Sequence, residues 1–139
     1  MSGKKAFWDT NLFIYLIEEN EKYLSAVHNL LSFLDRNEYE VITSTLTVGE
    51  ILTKPYKDMR LDLVKEYQGF FYDIELVPLV DTVAELFARI RADYSFKPPD
   101  AIQLASAVYA RADLFISNDA ALKRFKHPDC RVALLGDFD

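Results

Sequence analysis

The feature that most constrains this chain is the exchange of two hydrophobic periods along it. Short apolar runs alternate with stretches whose apolar residues recur every three or four positions. Ala6-Phe7-Trp8 is a strand-like run, and from Asn11 the pattern is helical to about Glu19. Tyr23, Val27, Leu30, Leu31 and Leu34 mark one face of a second helix. Glu40-Val41-Ile42-Thr43 is short and mostly β-branched, as strands are. Ser44 and Thr45 are N-cap types that lead into a helix through Val48, Ile51 and Leu52, which Pro55 is expected to end or kink. Leu63, Tyr67, Phe70 and Phe71 mark another helix, and Ile74 to Leu79 reads as a third strand. Asp81 is expected to cap a helix on Val83, Leu86, Phe87 and Ile90. Pro98-Pro99 should stop the chain before a helix that opens at Asp100 and runs to about Ala112. Leu114 to Ser117 is a fourth strand, Asn118-Asp119 cap a short helix to Phe125, and Arg131 to Leu135 is a fifth strand.

Alternation of this kind, with no hairpin signal, predicts an α/β protein with a mostly parallel sheet and helices on both faces. Right-handed crossovers then bring the C-terminal ends of the strands to one edge, where such sheets bind their ligands. The 139 residues, half of them apolar, suffice for a single domain over 1–139 with one substantial core. One cysteine, Cys130, excludes an internal disulfide and points to a reducing cytoplasm. The longest strongly apolar run, Leu12 to Ile17, is far short of the ~20 residues of a membrane span. No secretory signal is expected either, because Asp9 interrupts the apolar stretch after Lys4 and Lys5.

Four acids stand out by position. Asp9 follows the first strand and Asp119 the fourth; Asp100 opens the helix before the fourth strand, and Glu50 lies early in the helix after the second. Taken singly, Asp9, Asp100 and Asp119 are also explained as helix caps, and Glu50 as a solvated helix position. If the four converge, two carboxylates about 5 Å apart repel by about 3 kcal/mol at an effective dielectric near 20. Either some are protonated or a cation sits among them. Oxygen ligands without His or Cys favour Mg²⁺ or Mn²⁺ over zinc. A cation would also reconcile a net charge of −6 with a phosphate-bearing partner, which the acidic chain alone would repel.

Four motifs then resemble those of PIN-domain nucleases, in that family's order: Trp8-Asp9-Thr10-Asn11-Leu12-Phe13-Ile14-Tyr15-Leu16, Thr47-Val48-Gly49-Glu50-Ile51-Leu52 followed by Pro55, Pro99-Asp100-Ala101-Ile102-Gln103-Leu104-Ala105-Ser106-Ala107, and Ser117-Asn118-Asp119 followed by Phe125. They span residues 8 to 125, and the chain length is similar to that of VapC-type toxins of toxin–antitoxin pairs. The resemblance implies a three-layer sandwich around a five-stranded parallel sheet in the order 3-2-1-4-5. It implies a Mg²⁺- or Mn²⁺-dependent endoribonuclease in which Asp9, Glu50, Asp100 and Asp119 bind metal and carry catalysis. Thr10 and Ser117 would be hydroxyl partners near the metal or its waters, and Asn11 would brace the loop after the first strand. It implies as well an RNA substrate, a small antitoxin that occludes the acidic site, and a homodimer. The departures lie in the variable part, residues 55 to 75, which bears on substrate rather than chemistry.

Two basic clusters are candidates for RNA contact: Lys54, Lys57 and Arg60 after Glu50, and Lys123, Arg124 and Lys126 after Asp119. A solvated helix face is the simpler explanation of each, since Lys and Arg are mostly exposed. The aromatic stretch Tyr67 to Tyr72 reads as core rather than partner surface. His28 reads as a surface residue, and the spacing of His127, Asp129 and Cys130 fits no zinc motif. No G-x-S-x-G or P-loop pattern is present, and the scattered glycines argue against a dinucleotide fold. A receiver-type Mg²⁺-binding signalling domain is the rival from another class, but it needs adjacent acids after the first strand, where Asp9 stands alone, and an acceptor Asp after the third. A phosphatase with an Asp nucleophile would want a second Asp where Asn11 stands. A non-toxin PIN ribonuclease and an inactive PIN-fold binding module complete the alternatives.

Overall fold

The computed structural model describes residues 3–139. Five strands form one sheet: β1 (Lys4–Trp8), β2 (Tyr39–Ser44), β3 (Glu75–Val77), β4 (Leu114–Ser117) and β5 (Arg131–Leu134). Six helices connect or flank them: α1 (Thr10–Ile17), α2 (Leu24–Arg36), α3 (Thr45–Lys57), α4 (Leu61–Phe70), α5 (Asp81–Tyr94) and α6 (Pro98–Tyr109). Short 3₁₀ turns span Ala120–Arg124 and Leu135–Phe138, the second of which the periodicity gave no reason to expect. The strand order is β3-β2-β1-β4-β5 and every pairing is parallel. The expected fold class and order are therefore those observed. A receiver-type sheet has its third strand beside the first; here β4 takes that place and β3 lies at the edge.

The central strand explains why the sheet holds. Ala6, Phe7 and Trp8 are buried, and their side chains alternate between two cores. Phe7 packs on one face with Ile42, Phe115, Ala101, Leu104 and Ala105, its ring stacked on Phe115 at 5.4 Å. Ala6 and Trp8 pack on the other with Leu12, Phe13, Val27, Leu30 and Ile116. Full burial of each large side chain is worth about 1.5–3 kcal/mol. Helices α5 and α6 cover the first face and α1 and α2 the second, which makes the three layers.

Several local expectations need correction. Helix α3 runs through Pro55 to Lys57; the proline forfeits the one bond its N–H would have given the carbonyl four residues back, and the helix ends two residues later. Pro98 and Pro99 begin α6 instead of preceding it, because first-turn N–H groups have no helical partner to lose. Asp100 is thus already inside the first turn, and the helix ends at Tyr109, short of Ala112. Asp81 is the first residue of α5, with Val80 at the cap position, so its carboxylate complements the dipole and caps nothing. Strand β3 is only three residues long; it pairs with Ile42 to Ser44, the last residues of β2, and stops before Pro78.

The aromatic stretch divides. Phe71 is buried against Phe13, whereas Phe70 is partly exposed and Tyr72 is 89 % exposed. His28 is exposed, as expected. Helix ends recur in the left-handed region without glycine, at Glu19, Glu38, Met59, Ser95 and Arg111. Among the described residues no helix is long and apolar enough to cross a membrane.

Candidate functional site

The site is built at the C-terminal edge of β1 and β4, where two strands end side by side. Asp9 is the first residue beyond β1 and caps α1; its Oδ1 accepts from the Thr10 backbone N–H at 2.9 Å. Its Oδ2 accepts from the Ser117 hydroxyl at 2.7 Å. Ser117, the last residue of β4, also accepts from the Asp119 N–H at 3.1 Å and from Asn11 Nδ2 at 3.5 Å. One buried hydroxyl thus ties together the ends of both strands. Asp119 caps the following 3₁₀ turn through Ala121 N–H at 3.0 Å. The capping explanation is correct for Asp9 and Asp119, but capping occupies only one carboxylate oxygen of each; the second oxygen of Asp9 is the one that accepts from Ser117.

Asp9, Thr10, Asn11, Glu50, Asp100 and Asp119 line one cleft of about 260 Å³, together with Ile14, Pro99 and Gln103. The four acids singled out from sequence therefore face a common space. Glu50 is exposed into it, although its neighbour Ile51 is buried. Its Oε1 accepts from the Thr10 hydroxyl at 2.6 Å. Asp9, only 8 % exposed, is pushed from 3.8 up to about 6. Burial is the main cause; the Ser117 and Thr10 hydrogen bonds pull the other way, and the Asp100 and Glu50 charges add to the rise. Asp100 is also raised, first by burial, then by the Asp119 charge, with Lys97 opposing and Glu50 contributing.

Among the described residues none of these four acids forms a salt bridge, and Lys97 is the one cation whose charge is felt at Asp100. A cluster of carboxylates with so little compensating charge fits a hard divalent cation, as does a donor set made only of oxygen. Among the described residues, however, no three His, Cys, Asp or Glu side chains are gathered closely enough to hold a metal ion. An open carboxylate site, in which water fills further positions, suits Mg²⁺ or Mn²⁺ better than a protein cage does.

The basic candidates stand elsewhere. None of Lys54, Lys57, Arg60, Lys123, Arg124 and Lys126 lines the acidic cleft. Arg60 makes a two-pronged pair with Asp62, at 3.0 and 2.8 Å. Arg124 donates to the Tyr94 carbonyl at 3.0 Å and lies over the Phe96 ring. Lys123 Nζ is 4.0 Å from Asp137. Lys54 lines an adjoining apolar groove with Glu50, and Lys126 a separate groove beside β5.

Sequence reasoning missed Lys97, Thr47 and Gln103. The signal was present in the spacing: Gln103 lies one turn after Asp100 and Thr47 one turn before Glu50, each on the face of its acid.

Comparison with known proteins now bears on this cleft. A family model for the PIN domain matches residues 6–128. No curated protein matches the chain. Among solved structures the chain is similar to VapBC2 from Rickettsia felis bound to a DNA fragment from their promoter, with a TM-score of 0.74, 17% identity, and coverage of 94% of this chain and 98% of that one. It is similar to a toxin–antitoxin complex from Klebsiella pneumoniae, with a TM-score of 0.69, 21% identity, and coverage of 90% and 94%. DNA-bound VapBC from Salmonella typhimurium gives a TM-score of 0.69, 20% identity, and coverage of 96% and 99%. At these identities the likeness is one of fold. Because the family match extends over most of the chain and takes in all four cleft acids, the chain belongs to the PIN domain family.

Proposed function

We propose that this protein is a divalent-metal-dependent endoribonuclease and the toxin of a VapC-type toxin–antitoxin pair. The observation that carries the reading is the meeting of Asp9, Glu50, Asp100 and Asp119 in one cleft with almost no opposing charge. Asp9, Asp100, Asp119 and Glu50 would hold Mg²⁺ or Mn²⁺. The bound cation supplies charge neutralisation at the phosphodiester and lowers the pKa of water near it.

The chain's own groups do the rest. Ser117 and the Thr10 amide hold the two oxygens of Asp9 in a fixed plane. Thr10 holds Oε1 of Glu50, leaving Oε2 to orient a water for in-line attack and to take its proton. The second oxygen of Asp119, whose Oδ1 caps the following turn, would do the same from the β4 side. Asn11 braces the loop through Ser117. Phosphate contact falls to Lys54, Lys57 and Lys126, whose ammonium groups are in no salt bridge among the described residues, and to Lys97 beside Asp100.

Support for an antitoxin comes from the neighbouring structures, which are toxin–antitoxin complexes, and from a groove of about 370 Å³ that shares Glu50 with the cleft. Ile14, Ile17, Ile51, Pro55 and Tyr67 line it, and would receive apolar side chains of such a partner. The reading includes a homodimer acting in the cytoplasm. It is tested by cleavage of single-stranded RNA with added Mn²⁺ or Mg²⁺. Cleavage should stop with chelator and in Asp9→Asn or Asp100→Asn; wild-type cleavage by either variant would refute the assignment.

A further inference from the structure

Beneath the carboxylates lies an uncharged layer of which the reaction described above uses Thr10 alone. Thr10 of α1, Thr43 and Ser44 at the end of β2, Thr47 of α3 and Gln103 of α6 are all buried. A buried polar group left without a partner costs about 1–3 kcal/mol, so the pattern of their hydrogen bonds is tightly constrained. Gln103, 1 % exposed, is the junction. Its Nε2 donates to Thr47 Oγ1 at 2.7 Å and to Thr10 Oγ1 at 3.1 Å, while its Oε1 accepts from the Ser44 hydroxyl.

Counting protons gives this network a direction. Each hydroxyl has one proton to give. Ser44 gives its proton to Gln103 Oε1, and its oxygen accepts from the Thr47 N–H at 3.3 Å. Thr43 donates to the Trp8 carbonyl, at 2.9 Å, or to Thr47, at 2.8 Å. Gln103 presents only N–H to Thr10, so it does not compete for the Thr10 proton. That proton is directed to the carboxylate of Glu50, 2.6 Å away, so in the 3.0 Å contact between the Thr10 and Thr47 hydroxyls it is Thr47 that donates. With the amide reversed, its oxygen would draw on the Thr10 and Thr47 protons, and the Ser44 proton would lose its acceptor. Ser44 therefore locks the amide in the orientation that serves Glu50. Thr10 is the one side chain that tethers Glu50 among the described residues.

We propose that Gln103 is a positioning residue that, through the Thr10 hydroxyl, holds the Glu50 carboxylate toward the cleft with one oxygen engaged and the other open to cation or water. The proposal rests on the reading of the cleft as a metal site. A purely packing role would be met equally well by an apolar side chain of the same length, and that difference is measurable.

The experiment compares wild type with Gln103→Met, Gln103→Glu, Thr10→Val, Thr10→Ser and the double variant Gln103→Met/Thr10→Val. Mn²⁺ affinity is measured by calorimetry without RNA, and kcat and KM on single-stranded RNA. Gln103→Met and Thr10→Val should each weaken Mn²⁺ binding and lower kcat by about ten-fold or more, as losses of groups that orient metal ligands do, with KM within about two-fold. Gln103→Glu, which turns both donors into acceptors, should lose at least as much. Thr10→Ser should recover what Thr10→Val loses, and the double variant should be no worse than Thr10→Val, because both act through one hydroxyl. Wild-type kcat and Mn²⁺ affinity in Gln103→Met, or additive losses in the double variant, would overturn the proposal. Should Gln103→Met fail to fold, unchanged Mn²⁺ binding and kcat in Thr10→Val would overturn it instead. A wild type that binds Mn²⁺ but cuts no RNA would sink the ribonuclease reading alone, and the Mn²⁺ series would then decide the role of Gln103. A wild type that binds no Mn²⁺ would end both.

Discussion

Asp9 is the acid most at odds with its surroundings, and replacing it should stabilise the metal-free protein. Its pKa stands near 6 in the folded chain against 3.8 for an ordinary aspartate, chiefly because it is buried. That displacement corresponds to about 3 kcal/mol of differential cost for the ionised form. The sign follows from linkage. Between about pH 4 and about pH 6 the folded state binds the proton that the unfolded state has released, so stability falls as pH rises through that window. Above it the full cost is present, and below it the cost is gone. Asp9→Asn keeps an oxygen for the Thr10 N–H and cannot ionise. It should therefore gain up to about 3 kcal/mol at about pH 7.5, which for a chain of this size is about 10 °C in Tm. The gain is an upper bound, because the Thr10 hydrogen bond to the ionised carboxylate is stronger than that to an amide, and the amide nitrogen cannot accept the Ser117 proton. The assay is calorimetric unfolding of both proteins in chelator across the acid range. A variant less stable than wild type at neutral pH, or a difference that persists below about pH 4, would refute the reasoning. The same substitution should abolish RNA cleavage, so stability and activity would move in opposite directions.

Other perturbations are equally direct. Mn²⁺ at a hundred times its dissociation constant should stabilise wild type by about 2.7 kcal/mol, and the shift should shrink sharply in Asp100→Asn; calorimetric unfolding with and without metal checks this. Removing the charge of Lys54, Lys57 and Lys126 together should weaken RNA binding and flatten its dependence on salt, read from affinity at several ionic strengths; an unchanged slope would clear them of phosphate contact. Cys130, buried and pushed up to about 12, should resist thiol reagents in the folded protein and react only with unfolding. Leu30→Ala, at a fully buried position in the α1–α2 layer, should cost about 2–5 kcal/mol in denaturant unfolding without altering Mn²⁺ affinity.

The parts of the fold that repeat a period were the legible ones. Strand β4 is bounded where the residues Leu114 to Ser117 suggested, and the parallel sheet follows from alternation without hairpins. Boundaries set by chemistry at the ends of helices were misjudged. Proline is tolerated at the start of α6 because donors there have no helical partner, and in the last turn of α3 because a single bond is lost just before the helix ends, a fact of position within the helix that residue type alone does not convey. The four acids could be named from their places after strands and within helices, and from the motifs around them. The layer beneath them could not: Gln103, Thr47 and Ser44 look like ordinary polar residues of helix and cap until three elements are packed together. The basic clusters divide in space. Charge beside an acid in sequence did not put Arg60 or Arg124 beside the cleft in space, because Asp62 and the Tyr94–Phe96 segment hold them.

By itself the order of residues determines the alternation of strand and helix, the apolar faces that must be buried, and the placement of acids next to strand ends. These are properties of local period and of nearest neighbours along the chain. Tertiary structure alone decides how those pieces act on one another: that Asp9 is dehydrated and its proton retained toward neutral pH, that Ser117 joins the ends of β1 and β4, and that Gln103 reaches across to direct the proton of Thr10. Dehydration and hydrogen-bond direction depend on distances of a few ångströms between groups tens of residues apart, and such distances exist only once the sheet has brought those groups together.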